Sequence, residues 1–151
     1  MTTTDEIENQ LLSPHFRLAE FLHSDVAEKH GIVLEAKPYQ ICNMRQLCRK
    51  VLEPLRNAEM HPVTIASGLR NVELNRLIGG AQLSQHLKGE AADIAFREQE
   101  TAHRYFRFIR DHCDFDQLLL EWKQGSIICL HVSCKLNTKF NRHQAREYYA
   151  K

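Results

Sequence analysis

Two β-rich runs, Phe115 to Trp122 and Ile127 to Val132, are separated only by Lys123-Gln-Gly-Ser126, a polar link with the glycine a tight hairpin needs. So short a link joins antiparallel neighbours, because a parallel pair needs a crossover of a dozen residues or more. A third run, Glu90 to Phe96, alternates: Ala91, Asp93 and Ala95 lie on one face, Ala92, Ile94 and Phe96 on the other. Asp93 therefore points away from the apolar side. The β-branched Pro62-Val-Thr-Ile-Ala-Ser67 reads as a fourth strand.

Helical signals alternate with these strands. From Pro38, the apolar positions Ile41, Met44, Leu47, Cys48, Val51 and Leu55 form one stripe at helical spacing, and Pro54 is expected to end or kink it. Shorter helices are expected after Ser13-Pro14 (RLAEFLHS), over Asp25 to His30 before Gly31, and over Val72 to Leu77 before Gly79-Gly80. Glu98 to Cys113 reads as a helix that packs through Tyr105, Phe106, Phe108 and Ile109. The expected class is α+β: a central, mainly antiparallel sheet with helices packed on one face.

With 151 residues, 43% of them hydrophobic, one domain suffices, since a chain of this size buries about 70% of its unfolded surface. Residues 1–13 read as a leader, 14–140 as the domain, and 141–151 as a basic C-terminal tail, solvated or briefly helical. Formal charge is +1, so no global field draws the chain to nucleic acid. No run reaches the roughly 20 apolar residues of a membrane span, and MTTTDEIENQ lacks the parts of a secretory signal. The expected location is cytoplasmic as synthesised, and the expected state a monomer. Five cysteines without a CxxC pair fit reduced thiols.

The decapeptide Ser84-Gln-His-Leu-Lys-Gly-Glu-Ala-Ala-Asp93 and the later Leu-His131-Val-Ser carry the chemistry. Two imidazoles and a carboxylate suit one zinc ion, and three protein ligands leave a fourth position for water. Six residues, Gly89 among them, lie between His86 and Asp93, so the chain can turn after the histidine and return as a strand. His131 would reach the same ion from a neighbouring strand.

These motifs resemble the zinc peptidases of bacterial cell-wall peptides: D-alanyl-D-alanine carboxypeptidases, dipeptidases and L-alanyl-D-glutamate endopeptidases, whose fold is shared with the Hedgehog signalling domain. The pattern S-x-H-x-x-G-x-A-x-D followed by an H-V-S-like strand stands here as SQHLKGEAAD and LHVS. Further similarity lies in VLEPLR, IASGLR, LNRLIGG and FDQLLLE, which extends the resemblance over most of residues 14–134. The resemblance implies one Zn2+ per chain on His86, Asp93 and His131, and Arg70 facing the substrate. It also implies peptidoglycan stem peptides or muropeptides as partners. Such a substrate would be met through lysis, phage or secretion-system delivery, or as a cytoplasmic muropeptide. Ser84 reads either as a substrate contact or as a turn residue.

The general base is less directly marked. Several members of the family carry a carboxylate three residues before the last histidine, where this chain has Ile128, and an aromatic where it has Cys129. Glu121, at the end of FDQLLLE, is the nearest candidate, with Asp116 a second that reads better as a turn residue. Opposite Cys129, Glu121 would share a face with His131; opposite Ile128 it would point away unless a bulge intervened. Cys129 is either a site-lining thiol or a further ligand. The expected function is a zinc metallopeptidase acting on D-amino-acid-containing peptides of peptidoglycan. The alternative is a zinc-retaining, catalytically weak wall-binding or structural module.

Overall fold

The computed structural model describes residues 3–151 and is α+β. Thr3 caps α1 (Thr4–Glu8) through a capping box with Glu6. A small hairpin, β1 (Leu11–Ser13) and β2 (Phe16–Arg17), then leads into α2 (Leu18–Leu22) and α3 (Asp25–Lys29). The first two residues of the expected leader lie outside the described residues. Its last turn is no loose leader, since Leu12 is buried in the core.

The central apolar stripe forms α4 (Pro38–Leu47), a π-helical turn (Cys48–Leu52) and α5 (Glu53–Glu59) in direct succession. Of the two outcomes expected at Pro54, the helix does not end there: it passes through an irregular turn and continues. The turn ahead of it is widened, with Glu53 N–H donating to Cys48 O, and the proline falls in the first two positions of α5, where proline is best tolerated. The chain continues through β3 (Ile65–Ser67), α6 (Val72–Leu77), β4 (Ala91–Ile94), α7 (Gln99–His112), β5 (Gln117–Lys123), β6 (Ser126–Ser133) and β7 (Gln144–Tyr149).

The five-stranded sheet has the order β3-β4-β6-β5-β7. Its first three pairings are antiparallel and the last, β5 with β7, is parallel. That last strand corrects the reading of residues 141–151 as a tail: Gln144 to Tyr149 pairs residue for residue with Gln117 to Trp122. The sequence gives weak warning, because an edge strand with one exposed side lacks an apolar alternation. No helix among the described residues is long and apolar enough to cross a membrane.

The two faces of the sheet differ sharply. Ala92, Ile94, Leu118, Leu120, Leu130 and Val132 are at most 1% exposed and pack with the apolar stripe of α4 to α5 and with Ala102, Tyr105, Phe106 and Ile109 of α7. On the other face Asp93, Leu119, Glu121, Cys129 and His131 are only half-buried. This face therefore carries the sheet's partly exposed polar groups.

Register across the β5–β6 hairpin is set by a bulge. Lys123 pairs with Ser126 and Trp122 with Ile127, but Glu121 pairs with Cys129 and Leu119 with His131. Ile128 is the extra residue, 50% exposed. A regular hairpin would have put Glu121 opposite Ile128 and turned it away from His131. The bulge places Glu121, Cys129 and His131 on one face.

Candidate metal centre

His86 sits on a 3-10 turn (Gln85–Lys88) that closes on Gly89 just before β4. Ser84 Oγ accepts the His86 N–H at 3.2 Å and so caps the turn. From α4, Gln40 Nε2 donates to Leu87 O at 2.9 Å and Asn43 Nδ2 to Lys88 O at 2.9 Å. His86 is 2% exposed, and its Nδ1 lies 2.7 Å from Gly68 O. That carbonyl can only accept, so Nδ1 carries the proton and Nε2 keeps its lone pair.

The free Nε2 faces Asp93 Oδ1 at 3.3 Å, and His131 Nδ1 reaches the same oxygen at 2.9 Å. Asp93 and His131 are cross-strand partners in the β4–β6 pairing. Donor atoms of His86, Asp93 and His131 all lie within 4.8 Å of one another, the arrangement a single ion requires. The set fits a zinc-type ion in three respects: two nitrogens and one oxygen, a tautomer fixed by a main-chain carbonyl, and a carboxylate already ionised. Burial would raise the Asp93 carboxyl, but the hydrogen bond from His131 Nδ1, with the His86 imidazole beside it, outweighs burial and holds it well below the usual carboxylate range.

Arg70 follows β3 and borders this cluster. Its Nη2 lies 3.4 Å from Asp93 Oδ2, and Nη1 lies 3.3 Å from Asn75 Oδ1. Both contacts are long, and Nε is buried without a partner. Burial pushes the guanidinium below its ordinary value against the pull of Asp93 and Cys129. Arg70 thus stands at the metal face with unspent donor capacity, the condition of a group that receives an oxyanion or a carboxylate.

Asn75 is a residue the sequence reading missed. It is 5% exposed, accepts from Arg70, and donates through Nδ2 to Ala81 O at 2.9 Å. A Cβ on Gly80 would come within 2.1 Å of Asn75 Oδ1, so a glycine is needed there for the asparagine to reach Arg70. The only signal in sequence was LNRLIGG itself, which marks a helix stop equally well.

The remaining candidates separate cleanly. Glu121 stands on the face of His131, diagonal to it across the hairpin, a spacing of about 7–8 Å that lies within reach of a long side chain. It lies outside the three-residue donor cluster. Asp116, the second candidate base, is fully buried, and its oxygens are occupied by Gln85 and Arg142, so it cannot meet a substrate. Cys129 borders the centre without joining the donor cluster, and burial with the nearby Asp93 and Glu121 charges pushes its thiol up. All five cysteines are free thiols; Cys134 is fully buried in the core. Trp122 packs against the core, stacks on Tyr149 and meets His103 at a tilt rather than walling the metal face.

Beyond the Asp93–His131 pair, β4 and β6 part. A cleft of about 390 Å³ opens there, lined by Ser67, Asp93, Ala95, Phe96, Ile128 and Cys129. Of the three candidate donors, Asp93 lines it.

Sheet, turn and donors together make a candidate mononuclear metal site on an α+β scaffold. A family model described as Peptidase M15 matches residues 14–130, and the chain belongs to that family, the zinc D-alanyl-D-alanine carboxypeptidases that the motifs resemble. Membership supports a hydrolase of the metallopeptidase type. The match ends one residue before His131, which the β4–β6 register brings to the site. No curated protein matches the chain.

Proposed function

We propose that the chain is a zinc-dependent peptidase that hydrolyses D-amino-acid-containing peptides of bacterial peptidoglycan, as a carboxypeptidase or an endopeptidase. The observation that carries this reading is the convergence of His86 Nε2 and His131 Nδ1 on Asp93, with Arg70 and Glu121 bordering the same face. His86, Asp93 and His131 would hold the ion. Bound there, zinc would lower the pKa of a water and polarise a carbonyl.

The protein's own groups do the rest. Glu121 takes the proton of the attacking water and delivers it to the leaving amine, at the distance the bulged hairpin sets. Arg70 turns its unpaired donors to the oxyanion of the tetrahedral intermediate, or to a substrate carboxylate, for which its planar fork is suited. Ser84 accepts from His86 N and retains its own hydroxyl proton for a substrate acceptor.

One observation favours a second reading. Ile128, exposed on the bulge, stands where several relatives have a carboxylate, as a zinc-retaining module without turnover would. The two are separated by metal analysis and a defined muropeptide set, with products read by mass spectrometry. The peptidase reading expects about one zinc per chain, none in His86→Ala, and a Glu121→Gln variant that keeps zinc while losing about 10²–10⁴-fold in rate. Zinc-loaded wild-type protein that cleaves no muropeptide but binds sacculi would establish the module instead.

A further inference from the structure

We infer that Asp116 and Arg142 are positioning residues for the metal-binding turn, acting on His86 through the side chain of Gln85. The inference rests on the proposed metal site. Asp116 is 0% exposed, at the start of β5. Its Oδ1 accepts from Arg142 N and Nε, both at 2.9 Å, and its Oδ2 accepts from Arg142 Nη2 at 2.8 Å and Gln85 Nε2 at 2.9 Å. Gln85 is the first residue of the turn and the immediate neighbour of His86.

The main chain of Asp116 is fixed as firmly. Its N–H donates to Ser133 O at 2.8 Å and its carbonyl accepts from Gln144 N at 2.9 Å. One buried carboxylate therefore joins the end of β6, the entry to β7 and the ligand turn. Helix α4 holds the turn on its other flank through Leu87 O and Lys88 O, so the Gln85 amide is the side-chain tie on this one.

Without the Arg142 guanidinium, Asp116 would be a buried charge left with the Arg142 main-chain N–H and the Gln85 amide. A buried carboxylate so depleted draws in water or shifts toward it, and Gln85 moves with it. Arg142 lies beyond the span matched by the family, on a segment whose sequence reads as a tail.

Asp116→Asn risks misfolding, so the test uses Arg142→Gln, Gln85→Ala and their double variant in the full chain. Arg104→Gln is the control: it breaks a two-bond ion pair with Glu59 that has no tie to the turn. Zinc affinity is measured by competition with a chromophoric chelator, ligand geometry by the visible spectrum of the Co(II) protein, and turn mobility by amide exchange over residues 84–89 without metal. Outer partners of metal ligands are typically worth about 10–100-fold in affinity. Both single variants are expected near the lower end, about tenfold weaker, with an altered Co(II) spectrum. The double variant should be no worse than either single one, and Arg104→Gln should retain wild-type affinity. Wild-type affinity in Arg142→Gln and Gln85→Ala, or an equal loss in the control, overturns the inference. If wild-type protein binds no zinc, the metal reading fails by itself; faster exchange at 84–89 in both variants then still supports the positioning role, and unchanged exchange overturns it.

Discussion

At the scale of single residues, the site depends on groups whose hydrogen-bonding capacity is deliberately incomplete. Arg70 has one buried unpaired N–H and two long contacts, and Asn75 supplies a neutral acceptor that aims it without cancelling its charge. Asn75→Ala should cost about 1–3 kcal/mol in stability, the price of a buried donor left unmet, measurable by urea denaturation. Hydrolysis by Asn75→Ala should fall in the same direction as in Arg70→Ala but less far, and Arg70→Ala should lose about 10²–10³-fold, as for other oxyanion donors. Unchanged kinetics in Arg70→Ala would remove it from the proposed mechanism. His86, Asp93 and His131 were legible in sequence because donor type and spacing survive without coordinates. Asn75 was not, because nothing in its neighbours distinguishes a helical asparagine from one that reaches across to an arginine.

At the scale of elements, the ligand turn and the bulged hairpin decide whether those residues meet. Gly89 has φ of 75° and closes the turn against α4; a Cβ there would lie 2.7 Å from Gln40 O. Gly89→Ala adds backbone strain of about 1–3 kcal/mol to that collision. It is expected to lower the urea midpoint and weaken zinc binding together, whereas an exposed substitution such as Val33→Ala should change neither. In the hairpin, the alternation of β5 and β6 was readable, and so was the short loop. The register was not, because Ile128 looks like any β-branched strand residue until its neighbours show that it is the extra one. Pro54 teaches the same lesson: a π turn, invisible to apolar periodicity, carries the helix past a residue that would otherwise stop it.

At the scale of the whole molecule, a buried carboxylate paired with a half-exposed arginine links segments far apart in sequence and gives stability a pH dependence. Burial would raise Asp116, but Arg142 and Gln85 outweigh it and hold it at about 2, below the ordinary carboxylate value. A depressed carboxylate stabilises the fold above its unfolded pKa, and that contribution is lost as pH falls from about 4 to about 2. Its size is about 2 kcal/mol. Denaturation at pH 7, 4 and 2.5 should show this loss in zinc-free protein, and Arg142→Gln should flatten it; an equal slope in both proteins would remove Asp116 as its source. The sequence alone determined the α+β class, the antiparallel hairpin and the three candidate metal donors, because side-chain chemistry, apolar periodicity and turn residues are local properties. Tertiary structure decided the bulge that turns Glu121 toward His131, the recruitment of residues 144–149 as an edge strand, and the buried carboxylate tying that strand to the ligand turn. Each depends on which backbone groups find partners, and partners distant in sequence are fixed only when the sheet closes.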